Sequence, residues 1–126
     1  GAGAVSRSDW RLAEDHVADW LRLRGWHLLA RNWRWKRLEL DIVAARGETV
    51  AFVEVKMASG GSSTMTAEKI DWRKRDHITR AAAAFLARFG LEAVCRFDLA
   101  EVRGEPGDFS VDYTESAFRP RGDFTV

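Results

Sequence analysis

Apolar residues recur at Trp10, Ala13, Val17 and Leu21, three or four apart, which is the stripe of an amphipathic helix. Ser8 can cap it and Gly25 can stop it after Arg24. Period-two alternation then marks Trp26 to Arg31 and Leu38 to Ala44 as strands. A third, Thr49 to Lys56, is rich in Val and Phe and follows an Arg46-Gly47 turn. A second helix is expected from about Asp71 to Phe89, with Gly90 as its C-cap and Ile78, Ala82, Phe85 and Phe89 on its buried face. Ala93 to Val102 and Phe109 to Tyr113 read as two last strands joined through Pro106-Gly107. The order α-β-β-β-α-β-β predicts an α/β or α+β domain built on a three-stranded meander.

The length of 126 residues is that of one domain. With 46% hydrophobic and 31% charged residues, the composition excludes a disordered or membrane-embedded chain. No apolar run approaches the ~20 residues of a membrane helix and no signal-peptide core is visible, so a cytoplasmic protein is expected. One cysteine, Cys95, excludes an internal disulfide framework and a zinc cluster of several thiolates; it reads as a small buried hydrophobe. Gly-Ala-Gly at the start reads as a cloning scar. Residues 1–6 are therefore expected to be scar and disordered N-terminus, 7–120 the domain, and 121–126 a tail. Ala58 to Ser63 reads as a mobile loop.

Net charge is only +1, but its distribution is uneven. Arg31, Arg34, Lys36 and Arg37 fall together without an acid, interleaved with Trp33 and Trp35. Lys69, Arg73, Lys74, Arg75 and Arg80 outweigh Asp71 and Asp76, while acids dominate residues 98–115. Segregated charge of this kind can present a basic face to an anion. The tryptophans could stack on bases or pack on the core, and the residues leave both readings open.

Several carboxylates fall on faces that should be apolar. At ~100° per residue, Glu14 lies about 40° from Trp10 and about 60° from Val17, on the buried side of the first helix, although an edge carboxylate that reaches solvent or pairs with an Arg is the ordinary reading. Leu38, Leu40, Ile42 and Ala44 should share one strand face, leaving Glu39 and Asp41 on the other with Val43. If Arg46-Gly47 is a two-residue loop, Ala45 pairs with Glu48, Asp41 faces Phe52 and Glu39 faces Glu54. Glu39, Asp41, Glu54 and Lys56 then gather on one face. Three clustered carboxylates repel one another, and Lys56 offsets one charge. An all-oxygen set of this kind suits Mg²⁺ or Mn²⁺. The ordinary alternative is a solvated sheet face with cross-strand ion pairs.

These residues together resemble the PD-(D/E)xK nuclease superfamily. More narrowly they resemble the YraN family of endonuclease-like proteins, itself similar to archaeal Holliday junction resolvases. The motifs are Glu14, Arg31-Asn32-x-Arg34, Glu39-Leu40-Asp41-Ile42-Val43-Ala44, Phe52-Val53-Glu54-Val55-Lys56, Lys74, Arg96-Phe97-Asp98 and Ala117-Phe118. Leu38 replaces the usual Gly, and Met57-Ala58 a common basic pair. The resemblance implies a single-domain, restriction-endonuclease-like α/β fold with a central mixed sheet flanked by helices.

It also implies Mg²⁺ or Mn²⁺ held by Asp41, Glu54 and the Val55 carbonyl, with Glu14 joining directly or through water. Lys56 would position the attacking water, because neighbouring carboxylates favour its charged form. Glu39 corresponds to the Glu of a Glu-x-Asp motif. The expectation is a metal-dependent DNA endonuclease for branched or single-stranded DNA, gripping phosphates through Arg31, Arg34, Lys36, Arg37, Lys74 and Arg75. A homodimer would suit a two-fold branched substrate. The alternative from another class is a catalytically silent nucleic-acid-binding or protein-interaction module.

Overall fold

Ser6, not Ser8, caps the first helix in the computed structural model, which describes residues 6–58 and 70–120. Its hydroxyl accepts the Asp9 N–H at 3.1 Å, a cap worth about 1 kcal/mol, so the cap of the helix falls on the last residue of the expected N-terminal tail. Helix α1 (Arg7–Leu23) ends at Arg24, and Gly25 turns the chain at φ +87. Strands β1 (His27–Trp35), β2 (Leu38–Arg46) and β3 (Thr49–Met57) follow, then helix α2 (Trp72–Phe89) and strands β4 (Val94–Arg103) and β5 (Ser110–Thr114). The element order is the expected one. The rest of the 58–63 loop beyond Ala58, together with Lys69 and the tail from 121 on, lies outside the described residues.

The five strands form one mixed sheet in the order β1-β2-β3-β4-β5. The β3–β4 pair is parallel, with α2 in the connection between its strands; the other pairs are antiparallel. One face carries Phe52, Phe97, Leu99 and Val43 under Ile78, Ala82, Phe85 and Leu86 of α2. The other carries Ile42, Ala51, Val53, Val55 and Ala100 under Ala13, Val17, Ala18 and Leu21 of α1. This is an α/β sandwich of helix, sheet and helix. Asp71 caps α2 by accepting the Arg73 N–H at 2.7 Å, and Gly90, the predicted C-cap, closes it at φ +62. Phe89 departs from its predicted burial. It is 50% exposed, tilted against Phe85 at 4.7 Å and Trp33 at 6.4 Å, and Leu86 is the residue buried in the core.

Two further expectations fail in β1 and β2. The β2–β3 hairpin pairs Arg46 with Thr49, so its loop is Gly47-Glu48 and the register moves by two residues from the expected one. An even shift keeps each side chain on its face. The predicted alternation along β2 is broken, however. Leu38 and Leu40 pack with Val43 on the α2 side, whereas Ile42 and Ala44 pack on the α1 side. The cause lies across the ladder at Asn32, which adopts φ +51 between the Arg31–Ile42 and Trp33–Leu40 pairs. Asn tolerates this left-handed conformation better than most residues. The distal half of the hairpin is rotated there, and Asp41 sits at the break.

Candidate active site

Asp41 stands where β2 leaves the ladder: the regular pairing with β3 ends at Ile42–Val53. Its side chain replaces the lost backbone partner, with Oδ2 accepting the Val55 N–H at 2.9 Å. Glu54 lies within hydrogen-bonding reach of the Asp41 carboxyl. Burial first, and then the Glu54 charge, push the Asp41 carboxyl up to about 8, while the Val55 N–H and Lys74 pull the other way. Glu54 is itself only 5% exposed. Two ammonium groups converge on its Oε1, Lys74 at 3.2 Å and Lys56 at 3.6 Å. The pairing of Asp41, Glu54 and Lys56 expected from the sequence is therefore present.

Lys74 is the unexpected member. The resemblance assigns it to a phosphate, yet Glu54, Asp41 and Glu39 all act on it. Burial lowers its pKa, and these carboxylates outweigh that and raise it above the ordinary value. The topology holds the signal for this placement. A helix joining two parallel strands runs back along the sheet, so its first turn lies over the C-terminal end of the strand before it. That end of β3 carries Glu54 and Lys56.

Glu14 is buried as predicted, with 1% exposure. Its Oε1 accepts from Arg31 at 2.8 and 3.2 Å and from the Asn32 amide at 2.8 Å, whereas its Oε2 is buried without a hydrogen-bond partner. The left-handed Asn32 thus turns its amide onto Glu14. Arg31 also holds Asp15 at 2.6 Å, so its charge is committed within the protein rather than offered to phosphate. Among the described residues, no three of His, Cys, Asp and Glu converge as a ready ligand set. Asp41 and Glu54 form a pair, and Glu14 is held separately by Arg31 and Asn32 of β1.

A cleft of about 440 Å³ opens over Asp41, lined by Ser6, Arg7, Trp10, Arg34, Glu39 and Lys74. Arg34 is 72% exposed and only 3.5 Å from Glu39. Lys36 and Arg37 form the exposed β1–β2 turn, Lys36 at φ +56 and 4.6 Å above the Trp35 ring. Arg75 is half-buried on the first turn of α2. The expected basic loop is thus largely strand, and its tryptophans face the core, with Trp33 edge-on to Phe85 at 5.2 Å. Trp10 was read as part of the α1 core stripe. It is only partly buried, joins neither apolar cluster and lines the cleft instead. Periodicity could not separate it from Ala13 and Val17, since all three share one helix face.

Away from this cleft, Asp98 is fully buried. It accepts the Arg96 guanidinium at 3.0 Å, the Tyr113 hydroxyl at 2.5 Å and the Ser116 N–H at 2.9 Å. Burial, then the Asp98 charge, push the Tyr113 phenol well above its ordinary range. This network ties β4 to β5 and the following turn, and every group in it is satisfied within the protein. Cys95 is half-buried rather than fully buried.

No helix among the described residues is long and apolar enough to cross a membrane. The model of an uncharacterised protein family, UPF0102, matches residues 13–102, a stretch that includes Glu14, Asp41, Glu54, Lys56 and Lys74. A UPF0102 protein of Bacteroides thetaiotaomicron is 36% identical over 110 residues, covering 87% of this chain and 91% of the relative. One from Thermotoga neapolitana is 40% identical over 94 residues (75% and 86%), and one from Pseudomonas savastanoi is 37% identical over 111 residues (86% and 90%). A family match over most of the chain, with relatives covered nearly end to end, shows that this chain belongs to the UPF0102 family.

Proposed function

We propose that this protein is a divalent-metal-dependent DNA endonuclease of the PD-(D/E)xK type, close to the YraN family, acting on branched or single-stranded DNA. The observation that carries the reading is the convergence of Asp41 and Glu54 at the break in the sheet, with Lys56 and Lys74 on the same Glu54 oxygen. The Asp41 carboxyl, pushed up to about 8 first by burial and then by the Glu54 charge, would gain from a cation bound beside both acids. The buried, partnerless Oε2 of Glu14 is a second sign of a missing ligand, because an unsatisfied buried oxygen costs roughly 1–3 kcal/mol or more. The donors are hard oxygens and suit Mg²⁺ or Mn²⁺.

Asp41 and Glu54 would hold the ion, with the Val55 carbonyl and Glu14 completing the set as the resemblance implies. A bound ion supplies a lowered pKa for water and neutralises charge on the phosphodiester. The chain's own groups do the rest. Lys56 orients the attacking water by donation from its ammonium. Arg7 and Arg34 flank the cleft and hold phosphate oxygens, with Lys36 and Arg37 on the adjoining turn. Trp10 offers its ring to an unpaired base, which favours single-stranded or branched DNA over a continuous duplex.

The test is incubation of the purified protein with labelled single-stranded, four-way-junction and duplex DNA in Mg²⁺, Mn²⁺ and EDTA. Cleavage in metal only, abolished by Glu54→Gln and Lys56→Ala, is expected. DNA binding without cleavage of any substrate would refute the nuclease and leave a binding module.

A further inference from the structure

We infer that Lys74 is a tethered cation of the carboxylate site, which holds Glu54 until a divalent ion arrives and then transfers to a phosphodiester oxygen of DNA. This rests on the nuclease reading and adds a second role for a residue of the same cleft. Lys74 is closer to Glu54 Oε1 than Lys56 is, 3.2 Å against 3.6 Å, although Lys56 is only two residues away on the same strand. Glu54, Asp41 and Glu39 all act on Lys74. Two ammonium groups and a divalent ion cannot all stay close to one carboxylate oxygen without strong mutual repulsion, so one ammonium must leave.

Although Lys56 is nearly as exposed at 36%, Lys74 is the one of the two that lines the cleft. Its side chain is 42% exposed and lines the open cleft, with a flexible stem long enough to move its charge by several ångströms. It is rooted on the first turn of α2, where the helix dipole favours an anion, and Arg34 and Arg7 border the same space. Arg7, Arg34 and the start of α2 thus offer positive charge to a phosphate in the cleft that Lys74 already lines, beside the acids Glu39 and Asp41. A lysine in this position also keeps the site closed to stray cations until substrate competes for the lysine itself.

The experiment compares wild type, Lys74→Gln and Lys74→Arg in two measurements that need no cleavage. Calorimetric titration with Mn²⁺ and no DNA should show Lys74→Gln binding the ion on the order of tenfold more tightly than wild type, because the competing charge is gone. Lys74→Arg should stay within a few-fold of wild type. DNA binding measured against salt should give wild type a slope about one unit steeper in Ca²⁺ than in EDTA, the sign of one added phosphate contact, and Lys74→Gln the same slope in both. Wild type that binds Mn²⁺ while Lys74→Gln binds it equally or more weakly would overturn the exchange and leave the nuclease reading standing. Mn²⁺ binding by none of the three would overturn the nuclease reading and this inference with it.

Discussion

Replacing Asp41 by Asn should make the metal-free protein more stable at neutral pH, the reverse of the usual effect of altering a buried polar residue. The Asp41 carboxyl stands at about 8 in the folded protein, against an ordinary value of 3.8. Between these values the folded chain holds a proton that the unfolded chain has released. Stability therefore falls as pH rises through this window, by up to about 1.4 kcal/mol per pH unit, and levels off above pH 8. Below about pH 4 both states are protonated and the effect vanishes. Over the window the loss amounts to a few kcal/mol, a large share of the ~5–15 kcal/mol that a domain possesses. Asn cannot ionise, and its carbonyl can still accept the Val55 N–H. Urea unfolding of wild type and Asp41→Asn in EDTA, from pH 4 to pH 9, should give curves that meet at the acid end and separate with the variant uppermost. Curves that stay parallel, or a variant less stable at every pH, would refute the reasoning and make the carboxylates an ordinary ion-pair network.

Replacing Arg34 and Lys36 together by Ala should weaken DNA binding and reduce its salt slope by about one to two units; an unchanged slope would remove both from the DNA surface. Arg31→Ala should destabilise the fold by about 3–5 kcal/mol in urea unfolding, since it strips a buried Glu14 of its charge partner, and a cost under about 1 kcal/mol would contradict that pairing. Tyr113→Phe should cost about 1.5–3 kcal/mol by removing the hydroxyl donated to the Asp98 carboxylate, without altering DNA affinity.

How much of this was legible in the sequence depended on the range of the forces involved. Helix and strand order followed from apolar spacing, and the Gly90 cap of α2 from local backbone chemistry. The burial of Glu14 also followed from its angle on the helix, because a carboxylate between Trp10 and Val17 has few other places to go. Faces along β2 did not follow, since their alternation is broken by the left-handed Asn32 on a neighbouring strand. The meeting of Asp41 and Glu54 survives a register wrong by two residues because the even shift keeps Glu54 on its face, and Asp41, at the break in β2, reaches it past the end of the ladder. Arg31 read as part of a basic run because nothing local shows that Glu14, 17 positions earlier, takes its charge. Lys74 required the parallel β3–β4 pairing, a long-range fact with no local mark beyond the helix start.

The central claim is that Asp41 and Glu54 form one cation site. Anomalous diffraction from a crystal soaked in Mn²⁺ tests it most directly. A peak between the two carboxyl groups, with the Lys74 ammonium moved away from Glu54, is the result predicted here. A soaked crystal without a peak there, and with Lys74 still on Glu54, would contradict it.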